Sequence, residues 1–143
     1  MNGKEEVESE LQKHVVLYRS YEEQMVALQQ QKALMEMSIK ECSGATDFIV
    51  LLDKKDRGDH DVETLVPIGS GTFISATIKD QGKAMVSIGG GYSVEKDIKD
   101  VKQFLEEKKK NLSDSLVKVD SKLAQVGQTL TYLQAKIEEI TKK

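Results

Sequence analysis

Residues 112–140 read LSDSLVKVDSKLAQVGQTLTYLQAKIEEI, and the spacing of their apolar side chains decides the fold. Leu112, Leu116, Val119, Leu123, Val126, Leu130, Leu133, Ile137 and Ile140 step by four and three without exception. That is the heptad signature of a helix whose narrow apolar seam must face another seam. Upstream, Ile98, Val101 and Leu105 carry the same stripe, interrupted by Lys108 and Lys109. Ser93 can cap a helix start, so the spacing predicts a helix over 94–141.

The partner seam lies at the other end of the chain. Val7, Leu11, His14, Tyr18, Tyr21, Met25, Leu28, Lys32, Met35, Ile39 and Cys42 follow the same steps, and only His14 and Lys32 are polar. No proline falls in 5–55. Gly44 interrupts at a cost of about 1 kcal/mol relative to alanine, and Ile49, Val50, Leu51 and Leu52 carry the helix on to Lys55. Each segment has about 50 residues, on the order of 70 Å at helical rise. Two helices of matched reach satisfy both seams by folding back on one another. The fold class expected is α+β: a long antiparallel two-helix coiled coil with a β-hairpin insert of two hairpins, in one domain spanning 1–143, with the insert over 56–93.

Inside the insert the period changes to two. Val62-Glu63-Thr64-Leu65-Val66 reads as a strand closed by Pro67, and Gly69-Ser70-Gly71 as a turn. Residues 72–79 alternate Ile74, Ala76 and Ile78 on one face, and Ala84, Val86 and Ile88 repeat the alternation. Asp80-Gln81-Gly82 between them has the form of a three-residue hairpin loop. Gly89-Gly90-Gly91 breaks the strand, Tyr92 to Val94 pair briefly, and the charged segment Lys54 to Asp61 is a connector. A few short strands cannot close a barrel, and open strand edges attract other chains. The strands are therefore expected to complete a sheet or barrel with equivalent strands of other subunits. Leu65, Val66, Ile68, Phe73, Ile74, Ala76, Ile78, Ala84, Val86, Ile88 and Tyr92 are the assembly candidates.

Composition agrees with solvated helices. Of 143 residues, 38% are hydrophobic, 31% charged and 5% aromatic, with one Pro and no Trp. A net charge of −3 offers no basic footprint for nucleic acid. The longest apolar run, Phe48 to Leu52, is far shorter than the roughly 20 residues that span a bilayer. The polar start Met1-Asn2-Gly3-Lys4-Glu5-Glu6 is unlike a secretory signal, and a cytoplasmic location is expected. Cys42 is the only cysteine, so an internal disulfide, a CxxC redox pair and a cysteine zinc site are all excluded.

With these elements placed, the chain resembles the prefoldin family, and within it the alpha class. The resemblance covers nearly all of the sequence. It is most specific in Leu65-Val66-Pro67-Ile68-Gly69-Ser70-Gly71 and in Gly89-Gly90-Gly91-Tyr92-Ser93-Val94-Glu95-Lys96, and the second hairpin is what marks the alpha class. The resemblance implies a hexamer of two alpha and four beta subunits, with a double β-barrel base and six coiled-coil tentacles. It implies a holdase that binds unfolded client proteins and passes them to a group II chaperonin without ATP, needing no cofactor. In such a molecule the free end of the coil would meet clients through apolar side chains. The candidates are Val7, Leu11, Val15, Val16 and Leu17 on one helix and Leu130, Leu133, Ile137 and Ile140 on the other, each of which could equally fill the seam. The rival reading is a structural coiled-coil tether whose β insert is an oligomerisation clasp.

No enzyme constellation is present. Ile68-Gly69-Ser70-Gly71-Thr72-Phe73 opens like a kinase glycine-rich loop, but Ile74 stands where the third glycine is required. Gly89-Gly90-Gly91 precedes a helix but lacks the Lys-Ser/Thr of a phosphate loop. His14 and His60 have no ligand spacing. Neighbouring pairs such as Glu22-Glu23 and Glu138-Glu139 point to different sides of a helix and read as solvated faces. Asn111-Leu112-Ser113 matches a glycosylation sequon only formally, since it lies within a helix.

Overall fold

The structure, a computed structural model, describes residues 2–52, 62–79 and 82–142. In chain order it consists of α1 (Asn2–Leu52), β1 (Val62–Gly69), β2 (Thr72–Ile78), β3 (Lys83–Gly89), β4 (Tyr92–Asp97) and α2 (Ile98–Lys142). Two long helices bracketing two antiparallel hairpins is the α+β arrangement read from the sequence. The chain divides into two compact units, Met1–Ile39 with Asn111–Lys143, and Lys40–Lys110.

In the first unit α1 and α2 run antiparallel. Met25 approaches Gly127 and Lys32 approaches Asp120, so the two helices are traversed in opposite directions with equal steps. The seam read from the sequence is the covered side: Leu11, His14, Tyr18, Tyr21, Met25, Leu28, Lys32 and Met35 are half-buried, and Val119, Val126 and Leu133 are buried. Burying such a stripe is what stabilises helices whose propensity alone would not.

The helix α1 passes through Gly44 without a break. Cys42 and Ile49, on either side, are buried, and these anchors outweigh the local cost of the glycine. The proposed continuation through Lys55 and the connector Lys54 to Asp61 lie outside the described residues. A methyl group on Gly44 would meet nothing within 4 Å, and one on Gly127 would lie 3.7 Å from Met25 Cε, an ordinary contact. Gly44→Ala and Gly127→Ala are each expected to stabilise the chain by about 1 kcal/mol, measured as a higher urea midpoint.

In the second unit a small core joins the helix ends to one hairpin. Ile49, Val86, Ile98 and Val101 are buried together, with Leu52, Ala84, Phe104 and Leu105 packed around them. The strands form two separate two-stranded sheets, β1 with β2 and β3 with β4. Here the structure departs from the sequence reading, in which Asp80-Gln81-Gly82 joined β2 to β3 as a hairpin. Asp80 and Gln81 lie outside the described residues. The observed hairpin turns are Ser70-Gly71, with φ of 51° and 71°, and Gly90-Gly91, with φ of 62° and 81°. Two successive positive φ values give the turn whose twist matches paired strands, and Asp80-Gln81-Gly82 does not compete with two glycine-rich turns. Each ladder is irregular beside its turn, between Pro67 and Gly69 and between Ser87 and Gly89.

The start of α2 also moves. Ser93, Val94, Glu95 and Lys96 pair across the ladder with Ser87, Val86, Met85 and Ala84, so Ser93 is a strand residue and not a cap. The helix begins at Ile98, whose N–H donates to the Gly82 carbonyl at 3.0 Å. Lys96 lies over the Phe104 ring at 5.5 Å, a cation–π contact between the end of β4 and the first turns of α2.

Candidate functional site

The hairpins are built as if half of their surface belonged elsewhere. In the first hairpin Val62 faces Ile78, Thr64 faces Ala76 and Val66 faces Ile74. The pairs nearest the ends of the strands, Val62, Thr64, Ala76 and Ile78, are half-buried, whereas Val66 and Ile74 near the turn are exposed. On the opposite side Leu65 and Phe73 are exposed as well, and Ile68 follows them. Both faces of the turn half are therefore apolar and bare.

The second hairpin divides differently. Ala84 and Val86 turn into the core with Ile49 and Ile98, so Val86, 7% exposed, is held by its own chain and is not free for another. Ile88, Tyr92 and Val94, further along the same face, are exposed, as is Met85 on the other. Met85 escapes the sequence reading because strict alternation assigns one face to burial and the other to solvent, and Val94 because that reading starts the helix there. Among the described residues each strand pairs with one neighbour only, which leaves an open edge on all four. Contiguous exposed apolar side chains beside open edges mark an interaction surface.

In the first unit the nine candidate side chains do not form one bare patch. Val7, Val16 and Leu17 are exposed; Leu11, Val15, Leu130, Ile137 and Ile140 are half-buried; Leu133, at 4%, is packed in the seam. His14 occupies a seam position as expected and donates from Nδ1 to the Glu10 carbonyl at 2.7 Å. It is a capped edge residue of the helix pair.

The other polar seam residue has a partner that heptad counting could not supply. Lys32 Nζ lies 2.8 Å from Asp120 Oδ1, with both side chains partly exposed. The hydrogen bond to Asp120 and its negative charge hold the Lys32 ammonium above the usual lysine range, against a smaller opposing effect of burial. A raised lysine value means that the pair stabilises the helices through neutral pH and that this contribution fades as alkali takes the proton. Lys32→Leu is expected to remove that alkaline dependence. It should also raise the thermal midpoint, because partly exposed ion pairs contribute little and an apolar side chain completes the seam. Circular dichroism melts at pH 7 and above pH 10 test both effects.

Among the described residues, no group of three or more His, Cys, Asp or Glu side chains is placed to hold a metal ion. His60 lies outside them. No described helix is long and apolar enough to cross a membrane.

A family model described as Prefoldin subunit matches residues 21–143. The Prefoldin subunit alpha of Methanobrevibacter smithii is 35% identical over 120 residues, covering 84% of this chain and 80% of its own length. That of Pyrococcus horikoshii is 30% identical over 134 residues, covering 94% and 89%. A chain in the cryo-EM structure of filamentous PFD from Methanocaldococcus jannaschii superposes with a TM-score of 0.64 at 21% identity, over 82% of this chain and 95% of that one. This last likeness is one of fold.

Proposed function

This chain belongs to the prefoldin family, whose members are non-enzymatic chaperone subunits, and from that premise we propose that it is the alpha-class subunit of an ATP-independent holdase. In this reading two copies join four beta-class subunits through the hairpins, the coiled coils hold unfolded clients at their free ends, and the loaded complex delivers them to a group II chaperonin in the cytoplasm. The observation that carries the proposal is the bare apolar surface of both hairpins. Side chains such as Leu65, Phe73, Ile74, Ile88 and Tyr92 are exposed by half or more, a disposition a chain working alone would not sustain. Val16 and Leu17, exposed on α1, offer a non-native client the apolar contact that it shares with every other such client.

The test is to mix the purified chain with a beta-class subunit and measure mass by light scattering, then add a chemically unfolded protein without nucleotide. A hexamer that suppresses aggregation is the expected result. A chain that ignores the beta-class subunit overturns the assembly, and a hexamer with no effect on aggregation favours the tether instead.

A further inference from the structure

The seam of α2 fits a second copy of itself as well as it fits α1. In the antiparallel pairing observed, Met25 stands beside Gly127 and Lys32 beside Asp120, which sets Tyr18 level with Leu133, Met25 with Val126, Lys32 with Val119 and Met35 with Leu116. None of the nine α2 seam residues is polar, whereas α1 brings His14, Lys32, Tyr18 and Tyr21 to the same interface. Run in the opposite direction against another α2, the seam sets Leu112 level with Ile137, Leu116 with Leu133, Val119 with Leu130 and Leu123 with Val126, and symmetry repeats each layer. Every one of these layers is aliphatic. On apolar grounds alone, α2 has a better partner in another molecule than in its own.

What separates the two pairings is charge beside the seam. Asp120 belongs to the row that follows Val119 and Val126 along α2 in steps of seven: Ser113, Asp120, Gly127, Gln134 and Thr141. In the observed pairing Lys32 reaches that row, with Nζ 2.8 Å from Asp120 Oδ1. Between two α2 helices the row would face its own copy, which holds no cation, and Asp120 would take the same step across the seam to Leu130. Lys122 and Lys136 belong to the row on the other side, which precedes Leu123 and Ile137. A carboxylate moved from an ammonium to a leucine loses its partner and part of its hydration. A lysine at a seam position fixes partner and register at some cost in stability.

We propose that Lys32 and Asp120 select the partner of α2: they hold it on the α1 of its own chain and disfavour an α2–α2 zipper between two copies. Strengthening of the coil does not account for the pair, because both side chains are partly exposed and such pairs contribute little net stability. The inference is independent of the holdase reading.

The experiment refolds the full chain from urea in two forms mixed in equal amounts, one carrying Leu123→Cys and the other Val126→Cys, each with Cys42→Ala. A mixed disulfide, read by mass spectrometry, forms across an α2–α2 layer but not while α1 covers both positions. The parent pair should give little of it. Asp120→Ala in both chains removes the partner of Lys32 and relieves the zipper of its stranded carboxylate, and should raise the yield about tenfold. Asp120→Asn, which keeps the shape and removes the charge, should act in the same direction. Adding Lys32→Leu to Asp120→Ala makes the α1 layer aliphatic and should return the yield to that of the parent pair, a reversal that mere loosening of the coil would not give. Circular dichroism reads the helix content of each chain, and a loss of helix with Asp120→Ala passes the decision to Asp120→Asn. Abundant disulfide in the parent pair, no increase with the Asp120 variants, or an increase that Lys32→Leu leaves in place would each overturn the selection.

Discussion

A chain carrying Ile74→Lys and Ile88→Lys is expected to fold as the parent does and to remain alone when mixed with beta-class subunits. Both side chains are exposed, at 52% and 60%, and neither belongs to the cluster around Ile49, Val86, Ile98 and Val101. Lysine is also a residue that natural edge strands tolerate. Circular dichroism should therefore show the parent's helix content and melting. Buried in an interface, each ammonium would lack a counter-charge and cost several kcal/mol. At about 1.4 kcal/mol per tenfold, the pair should weaken association by roughly a thousandfold or more. Light scattering reads the difference as a monomer in place of a large complex. Normal assembly of the double variant would show that the turn halves of the hairpins are not the contact. Val86→Lys is the informative contrast, because Val86 is buried within the chain and its replacement should lower the melting temperature even without partners.

The second large effect concerns client binding. Removing residues 1–12 and 132–143 deletes Val7, Leu11, Leu133, Ile137 and Ile140 but leaves the hairpins intact, so the complex should assemble, at a mass lower by the deleted residues, and fail to suppress aggregation. Leu133 is buried in the seam, and its loss loosens the helices next to it. Val16→Asp with Leu17→Asp supplies the companion that keeps the seam: both residues are exposed, and aspartate there repels apolar segments without emptying a packed position. Aggregation of a chemically unfolded protein, followed by light scattering, should proceed with the truncated complex almost as it does without chaperone, and at an intermediate rate with the double aspartate. Full suppression by both would move client binding away from the free ends.

What could be read in the sequence follows from how often each signal repeats. The seam of α2 is spelled nine times from Leu112 to Ile140, and every one of those positions is half-buried or buried. The strands offer six to eight residues each, too few for alternation to fix partners. Pairing of β2 with β3 and pairing of β1 with β2 were both compatible with the pattern, and the two glycine-rich turns decided between them. The start of α2 was misplaced for a similar reason, since Ser93-Val94-Glu95-Lys96 can cap a helix or extend a strand and only the ladder to β3 distinguishes the two. Burial of Val86 depends on Ile49 and Ile98, which belong to the two helices and not to its own hairpin, and alternation carries no such information. Asp120 as the partner of Lys32 was hidden likewise, because heptad counting finds seams but not their register.

The separation of the strands into two self-contained hairpins has a kinetic consequence. The outermost pair of the first hairpin, Val62 and Ile78, is only 16 residues apart, whereas Met25 and Gly127, which meet across the helices, are separated by 102. Hairpins of this span close in about 1–10 μs, and bringing remote segments together is slower because more chain entropy is lost first. On a ribosome the strands also emerge before α2 is made. The open edges are thus finished before the long helices can pair along their length. On the assembly proposed above, timely supply of partner subunits then becomes a condition for making this protein without losing it to clumping.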